Sequence, residues 1–398
     1  MWIEKRKLLE LWDAAHEAGD EVSLATIVRV EGSSYRKPGA TMLLTRSGMR
    51  AGMVSGGCLE GEVGKKIWWL TESGACVETY TTSFDDDGEG GHGLGCGGRI
   101  SLLLERGVSA KDRIEAIRQS LVERKASAIA TVIGEGVLPV GTRVVLNDVP
   151  VRVEQNGTLG PRLGNELEPS PETRTASASV VALRAAAEKT LRQRCSFVLS
   201  LAEGQAAFAE YIAPPPLLFV FGAGDDAQPV AGFAAAMGWE VVVADGRSHL
   251  ATSVRFPTAR VMVLSQAGLG ALWGQSGAVS VAGSGMPREA AAVVMTHSYE
   301  QDRAILAAIL PLNPMYVGVL GPRRRTSQLL DEVSGQLPGS RSAEDWLEQL
   351  HSPAGLDLGA DGPEVVALSI IAEVQATLEG RMGMPLRLLR SPLIASDD

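Results

Sequence analysis

Three consecutive prolines, Pro214-Pro215-Pro216, lead directly into the apolar string Leu217-Leu218-Phe219-Val220-Phe221 and then Gly222-Ala223-Gly224. Proline resists both a helix interior and a central strand, so the chain must break here. The five apolar residues that follow have the unbroken pattern of a strand buried on both faces. Downstream the pattern alternates: a helix over 230–237, strands over 240–244, 260–264 and 291–295, a helix over 302–309 and a strand over 316–320. Such alternation predicts a doubly wound parallel sheet, α/β in class. A closing helix over 363–379 has Pro363 at its first position and Gly380 just past its end. At 398 residues the chain exceeds one ordinary core. The break divides it into domains 1–213 and 214–398.

The first domain reads differently. An amphipathic helix over 3–18 carries Leu8, Leu9, Leu11, Trp12 and Ala15, and a strand follows over 22–30. Apolar pairs at Met42–Leu44 and Met53–Val54 predict two short paired strands. They lead to Val54-Ser55-Gly56-Gly57-Cys58-Leu59-Glu60, a tight glycine turn into a helix marked by Val63, Ile67, Trp68 and Leu70. Further strands are expected over 77–82, 100–104, 129–133, 144–146 and 151–153, and a helix over 110–122. The Pro/Ser/Thr-rich stretch 168–179 reads as an exposed loop. The result is an α+β, cysteine-bearing domain ahead of the parallel-sheet domain.

Charge and composition exclude some classes of function. Thirty-seven Lys+Arg against 47 Asp+Glu give a net charge of -10, so a globally basic nucleic-acid footprint is absent. No apolar run is long enough to span a membrane, and the charged start is not a signal peptide. Four cysteines without CxxC pairing argue for a reducing cytoplasm rather than a disulfide framework.

Cys58 falls at the first turn of a helix, where backbone N–H groups attract anions and favour a thiolate. Glu60 stands close enough to be its proton acceptor. Cys96 lies in a second glycine nest, Gly93-Leu94-Gly95-Cys96-Gly97-Gly98. Successive N–H groups in such nests bind anions, and a thiolate is a soft ligand for a soft metal. Both cysteines equally suit small hydrophobes in tight turns. Cys76 and Cys195, in apolar strand contexts, read as structural. The loop Ser33-Ser34-Tyr35-Arg36-Lys37 offers the planar fork of Arg36 to an oxyanion, or is a solvated turn. Asp85–Asp87 with Glu89 suit a hard-cation site but, without EF-hand spacing, read rather as a solvated acidic loop, with His92 a bystander in it.

Gly222 and Gly224 open a helix, and Asp245 ends the next strand where a ribose-binding acid is expected. Against this, Asp225 and Asp226 put two negative charges where a pyrophosphate would dock. A working nucleotide site and a repurposed pocket both remain open. His297 follows an apolar strand at a helix start, and Arg323-Arg324-Arg325 repeats that position. The arginines either bind a ligand phosphate or pair with Asp225, Asp226 or Asp245.

The motifs GSSYRKPGA (32–40), SGGCLEGEV (55–63), GLGCGGRISLLLE (93–105), PPPLLFVFGAG (214–224), VVMTHSYEQD (293–302) and YVGVLGPRRR (316–325) together resemble the XdhC-type accessory factors of xanthine dehydrogenase and related molybdenum hydroxylases. They occur in the family's order across both halves. Two positions depart from it: Asp225, where many relatives carry histidine, and Pro322, where serine often follows the glycine. The resemblance implies a Rossmann domain behind the cysteine-bearing domain. It implies binding of molybdenum cofactor, its protection during sulfuration by a cysteine desulfurase, and delivery to an apo-hydroxylase by a homodimer. The protein is then a binding and handover factor rather than an enzyme. Cys58 and Cys96 become the metal contacts, with Gly56, Gly57, Glu60, Arg36, His297 and Arg323 around the cofactor. Gly222, Gly224 and Asp245 serve any nucleotide moiety. The competing readings are an NAD(P)-dependent oxidoreductase with His297 as acid/base, and a zinc or redox sensor built on the two cysteines.

Overall fold

The computed structural model describes residues 2–81, 98–147, 171–264, 290–337, 341–359 and 361–388. These fall into two compact units, 4–214 and 215–388, the second with Trp2 and Ile3.

The first unit holds two antiparallel sheets. Helix α1 (Trp2–Glu17) precedes β1 (Val22–Glu31), β2 (Thr41–Thr45), β3 (Arg50–Gly52), α2 (Cys58–Leu70), β4 (Cys76–Thr81) and β5 (Arg99–Arg106). The strands order β3-β2-β1-β5-β4. Leu59, Val63 and Ile67, four residues apart on α2, pack on Ala25, Ile27, Met42, Leu44, Leu102 and Leu104 of this sheet. That spacing places them on one helix face, which explains why α2 covers the sheet. The second strand of the short hairpin is Arg50–Gly52, not Met53–Val54. At Gly52 a Cβ would collide with the Thr41 carbonyl, and φ is +74°, so the pairing ends there.

Helix α3 (Val108–Val122) leads to the second sheet, formed by β6 (Ser127–Val132), β7 (Arg143–Asn147), β8 (Phe197–Ser200) and β9 (Ala206–Ile212) in the order β7-β6-β9-β8. The expected strand over 151–153 lies outside the described residues. Helix α4 (Pro171–Gln193) covers this sheet, and it overturns the loop expected over 168–179 from Pro171 onward; 168–170 lie outside the described residues. Pro171 fits a first helical turn, where its missing N–H is not needed. From there Ser179, Leu183, Ala186, Ala187 and Thr190, at helical spacing, are buried. The Ser/Thr-rich start looks like a loop in composition, and the helix is held by the face further along, Leu183, Ala186, Ala187 and Thr190.

The second unit is a five-stranded parallel sheet, as the alternating pattern predicts. Its strands are β10 (Leu217–Phe221), β11 (Glu240–Asp245), β12 (Arg260–Val263), β13 (Ala290–Val294) and β14 (Tyr316–Val319), ordered β12-β11-β10-β13-β14. The strand order reverses between β10 and β13, the place where such sheets open a ligand crevice. Helices α6 (Tyr299–Ile309), α7 (Arg323–Val333) and α8 (Ala343–Gln349) bury Ile305, Leu306, Leu329, Leu330 and Trp346 against Phe219, Phe221, Val294 and Val319. Helix α5 (Ala227–Ala236) packs on β10, β11 and the closing helix α9 (Pro363–Leu378). No described helix is long and apolar enough to cross a membrane.

Candidate functional site

After β3 the chain turns through Ser55-Gly56-Gly57 into α2, and the turn is fastened from inside by Glu60. Its Oε1 accepts from Val54 N at 3.0 Å and Ser55 N at 2.7 Å, and its Oε2 accepts from the Ser55 hydroxyl at 2.5 Å. Ser55 Oγ accepts in turn from Gly57 N at 3.2 Å and Leu59 N at 3.1 Å. Ser55 and Glu60 are both buried. Burial pushes the Glu60 carboxyl up, but the Ser55 hydroxyl and the N–H donors outweigh it and hold the group below the usual carboxylate range. Glu60 is therefore an ionised brace with both oxygens engaged in the turn. The outer side is open: Gly56 and Gly57 are exposed, and a Cβ on either would meet nothing within 4 Å. Gly57 has φ +119°, a conformation L side chains rarely adopt. Cys58 is the first helical residue, as the sequence predicts.

Two other motifs emerge at the same end of this sheet. β1 leaves at Glu31, β2 enters at Thr41, β3 leaves at Gly52, and β5 enters at Arg99, which pairs with Glu31. Gly98, just before β5, lies so close to the Ser33 carbonyl that no side chain would fit. The Ser33–Lys37 loop and the end of the second glycine nest thus touch. Cys96, His92 and the acidic run lie outside the described residues. Arg36 is ion-paired with Glu4 at 2.5 Å, and its backbone N donates to Ser34 Oγ at 3.3 Å.

The sequence reading missed what anchors this loop. Arg113 of α3, buried with Glu210 of β9, forms a two-pronged pair with it. Arg113 also donates to Thr41 Oγ1 at 3.0 Å and to the Gly39 carbonyl at 3.1 Å. Neither residue stands in a motif, and 97 positions separate them. An ionisable residue on an otherwise apolar face was the one signal available.

In the second unit the switch point brings Gly222–Asp226, Asp245, Arg247 and Thr296-His297 together. A Cβ on Gly222 would collide with the Met295 carbonyl, so glycine is what allows the two strand ends to meet. Asp245 is fully buried. It accepts from Ala223 N at 2.7 Å, Arg247 N at 2.8 Å, Arg247 Nε at 3.0 Å and Arg247 Nη2 at 2.7 Å. Burial raises its carboxyl, but Arg247 and the N–H donors more than offset that and hold it low. His297, at φ +60°, places Nε2 2.8 Å from Asp226 Oδ2. Arg255 reaches Asp225 at 2.8 Å and the Ala223 carbonyl at 3.2 Å.

The arginine triplet does not pair with Asp225, Asp226 or Asp245, whose partners are Arg255, His297 and Arg247. Helical phase explains why: Arg325 turns inward to Asp302 at 2.6 Å, and Thr296 Oγ1 holds the other oxygen of Asp302 at 2.5 Å. Arg323 stays exposed at the first position of α7. Cys76 is half-buried in β4, where burial and then Glu78 raise its thiol. Cys195 is exposed between α4 and β8, not in a strand. Among the described residues, no group of three or more His, Cys, Asp or Glu is placed to hold a metal.

Residues 15–81 match the XdhC and CoxI family, and residues 218–374 match the XdhC Rossmann domain. A Bacillus subtilis protein described as a probable subunit of xanthine dehydrogenase is 33% identical over 374 residues, 92% of this chain and 96% of that protein. The Escherichia coli protein described as molybdenum cofactor insertion chaperone PaoD is 24% identical over 375 residues, 93% of this chain and 88% of that one. A Bacillus halodurans crystal structure described as a xanthine dehydrogenase superposes with a TM-score of 0.66 at 26% identity, covering 94% of this chain and 96% of that chain. With likeness of this extent across both units, the chain belongs to the XdhC and CoxI family.

Proposed function

We propose that the protein is an accessory factor that binds molybdenum cofactor and delivers it to a xanthine-dehydrogenase-type hydroxylase. The observation that carries the reading is the glycine turn at Ser55–Cys58, rigid within and open without. Glu60 and Ser55 fix the backbone, while exposed Gly56 and Gly57 leave room for a ligand to approach the start of α2. A cysteine as the first helical residue is a soft donor suited to the metal of that cofactor. When bound, the cofactor supplies a molybdenum centre and a pterin dithiolene; this chain's residues hold, shield and release it. Full-length likeness to a molybdenum cofactor insertion chaperone supports the same reading.

The proposal extends to protection of the cofactor while a cysteine desulfurase sulfurates it, in the cytoplasm, by a homodimer. Cys58 is assigned to the metal together with Cys96, and Arg36 to the cofactor's anionic end; His297 and Arg323 are assigned to ligand contacts of the second unit taken by itself. The test is purification under anoxic conditions from a cofactor-producing host, followed by mixing with a cofactor-free hydroxylase. Pterin and molybdenum should co-purify near one per chain, and the mixture should gain hydroxylase activity. A pterin-free protein that also takes up no cofactor from a donor would sink the proposal.

A further inference from the structure

The strand order of the second unit, its Gly-Ala-Gly turn and the acid ending the second strand are together the features that bind a dinucleotide in Rossmann folds. The residues in place do not fit that group. A pyrophosphate docks by taking backbone N–H donors at the glycine turn and the first turn of the helix. Here Gly222 N donates to the Ala244 carbonyl at 2.9 Å and Ala223 N to Asp245 at 2.7 Å. Ala227 N and Gln228 N donate to the Gly224 and Asp225 carbonyls, each at 3.3 Å.

The open side of Gly224 is also occupied. Asp226 Oδ1 stands 2.6 Å from where a Cβ on Gly224 would be. The glycine therefore makes room for a carboxylate of the same chain, where a dinucleotide site leaves space for phosphate. His297 positions that carboxylate through Nε2 at 2.8 Å. Asp225 adds a second negative charge, with its side chain 87% exposed. The cations beside the turn are already engaged, Arg255 with Asp225 and Arg247 with Asp245. Asp245 receives four donors from Ala223 and Arg247, which leaves it no lone pair to offer a ribose hydroxyl.

We infer that the glycine turn of this Rossmann unit is closed to pyrophosphate by Asp225 and Asp226, so the unit works without NAD(P). A phosphate on any ligand of the protein must then be held by other residues. The inference stands whether or not the protein carries molybdenum cofactor.

The full chain is titrated with NADH and NADPH, followed by nicotinamide fluorescence, and with ADP by calorimetry. Wild type should give no saturable nicotinamide signal up to about 1 mM. The double variant Asp225→Asn/Asp226→Ala should bind ADP at least about tenfold more tightly than wild type, because both repelling charges are gone and the space over Gly224 is emptied. Asp225→Asn alone changes an exposed side chain and should move affinity in the same direction by less. Saturable wild-type binding of NADH or NADPH below about 100 μM would overturn the inference. So would ADP affinities that are equal in wild type and both variants.

Discussion

The two glycine turns of this protein are built alike and finished differently. Each follows a strand and opens a helix, and each is fastened by a buried carboxylate that accepts backbone N–H groups. In the first unit the brace is Glu60, from the helix that the turn opens. In the second it is Asp245, from the neighbouring strand. Among the described residues nothing stands over Gly56 and Gly57, while over Gly224 the space is filled by Asp226. In both turns the buried acid is scaffold, and the difference lies in what stands over the glycines.

The largest effect expected from breaking this symmetry is at Gly222. An added methyl meets the Met295 carbonyl and Thr296 at a positive φ, so Gly222→Ala should cost at least about 3 kcal/mol in urea unfolding of the second unit. Glu60→Ala should follow at about 3 kcal/mol, since it leaves buried Val54 and Ser55 donors unpaired. Asp245→Asn should cost about 2 kcal/mol, because Arg247 loses its charged partner but keeps access to water. Gly57→Ala should cost about 1 kcal/mol through its φ, and Gly56→Ala almost nothing. If Gly56 and Gly57 responded equally, backbone conformation would not be what the turn demands.

Acid sharpens the same comparison. Both braces titrate below their usual values in the folded protein. A depressed folded pKa gives stability that is present above the unfolded value, about 4, and lost as pH falls through the folded one. Urea midpoints of wild type should therefore drop between pH 5 and pH 3. In Glu60→Gln, the part of that drop belonging to the first unit should shrink. An identical acid slope would mean that Glu60 is not an ionised brace.

Much of this was legible in the sequence. Val63 and Ile67 carry the helical period of α2, and Leu217–Phe221 carries the signature of a buried parallel strand. Both read directly because apolar spacing is dictated by burial. The Ser/Thr-rich start of α4 did not, since of 175–179 only Ser179 is buried and the apolar face that packs begins at Leu183. Strand β9, Ala206–Ile212, is rich in alanine, which is depleted in strands, and its place is fixed by pairing with β6. The site was legible in its turns and in the position of Cys58. It was not legible in its braces. Whether Glu60 faced a thiol or its own turn, and which of three arginines faced Asp302, are matters of side-chain direction that spacing alone does not fix. The Arg113–Glu210 anchor is a contact between distant segments, with no local trace.

The proposed function stands or falls with the braced turn at Cys58 as the carrier of the cofactor. Pterin and molybdenum per chain, measured after anoxic purification of wild type, Cys58→Ala and Gly56→Ala with urea midpoints alongside, test it most directly. Cys58→Ala should lose most of its pterin and molybdenum while its midpoint stays at the wild-type value. Cofactor retained at the wild-type level in a folded Cys58→Ala protein would contradict it.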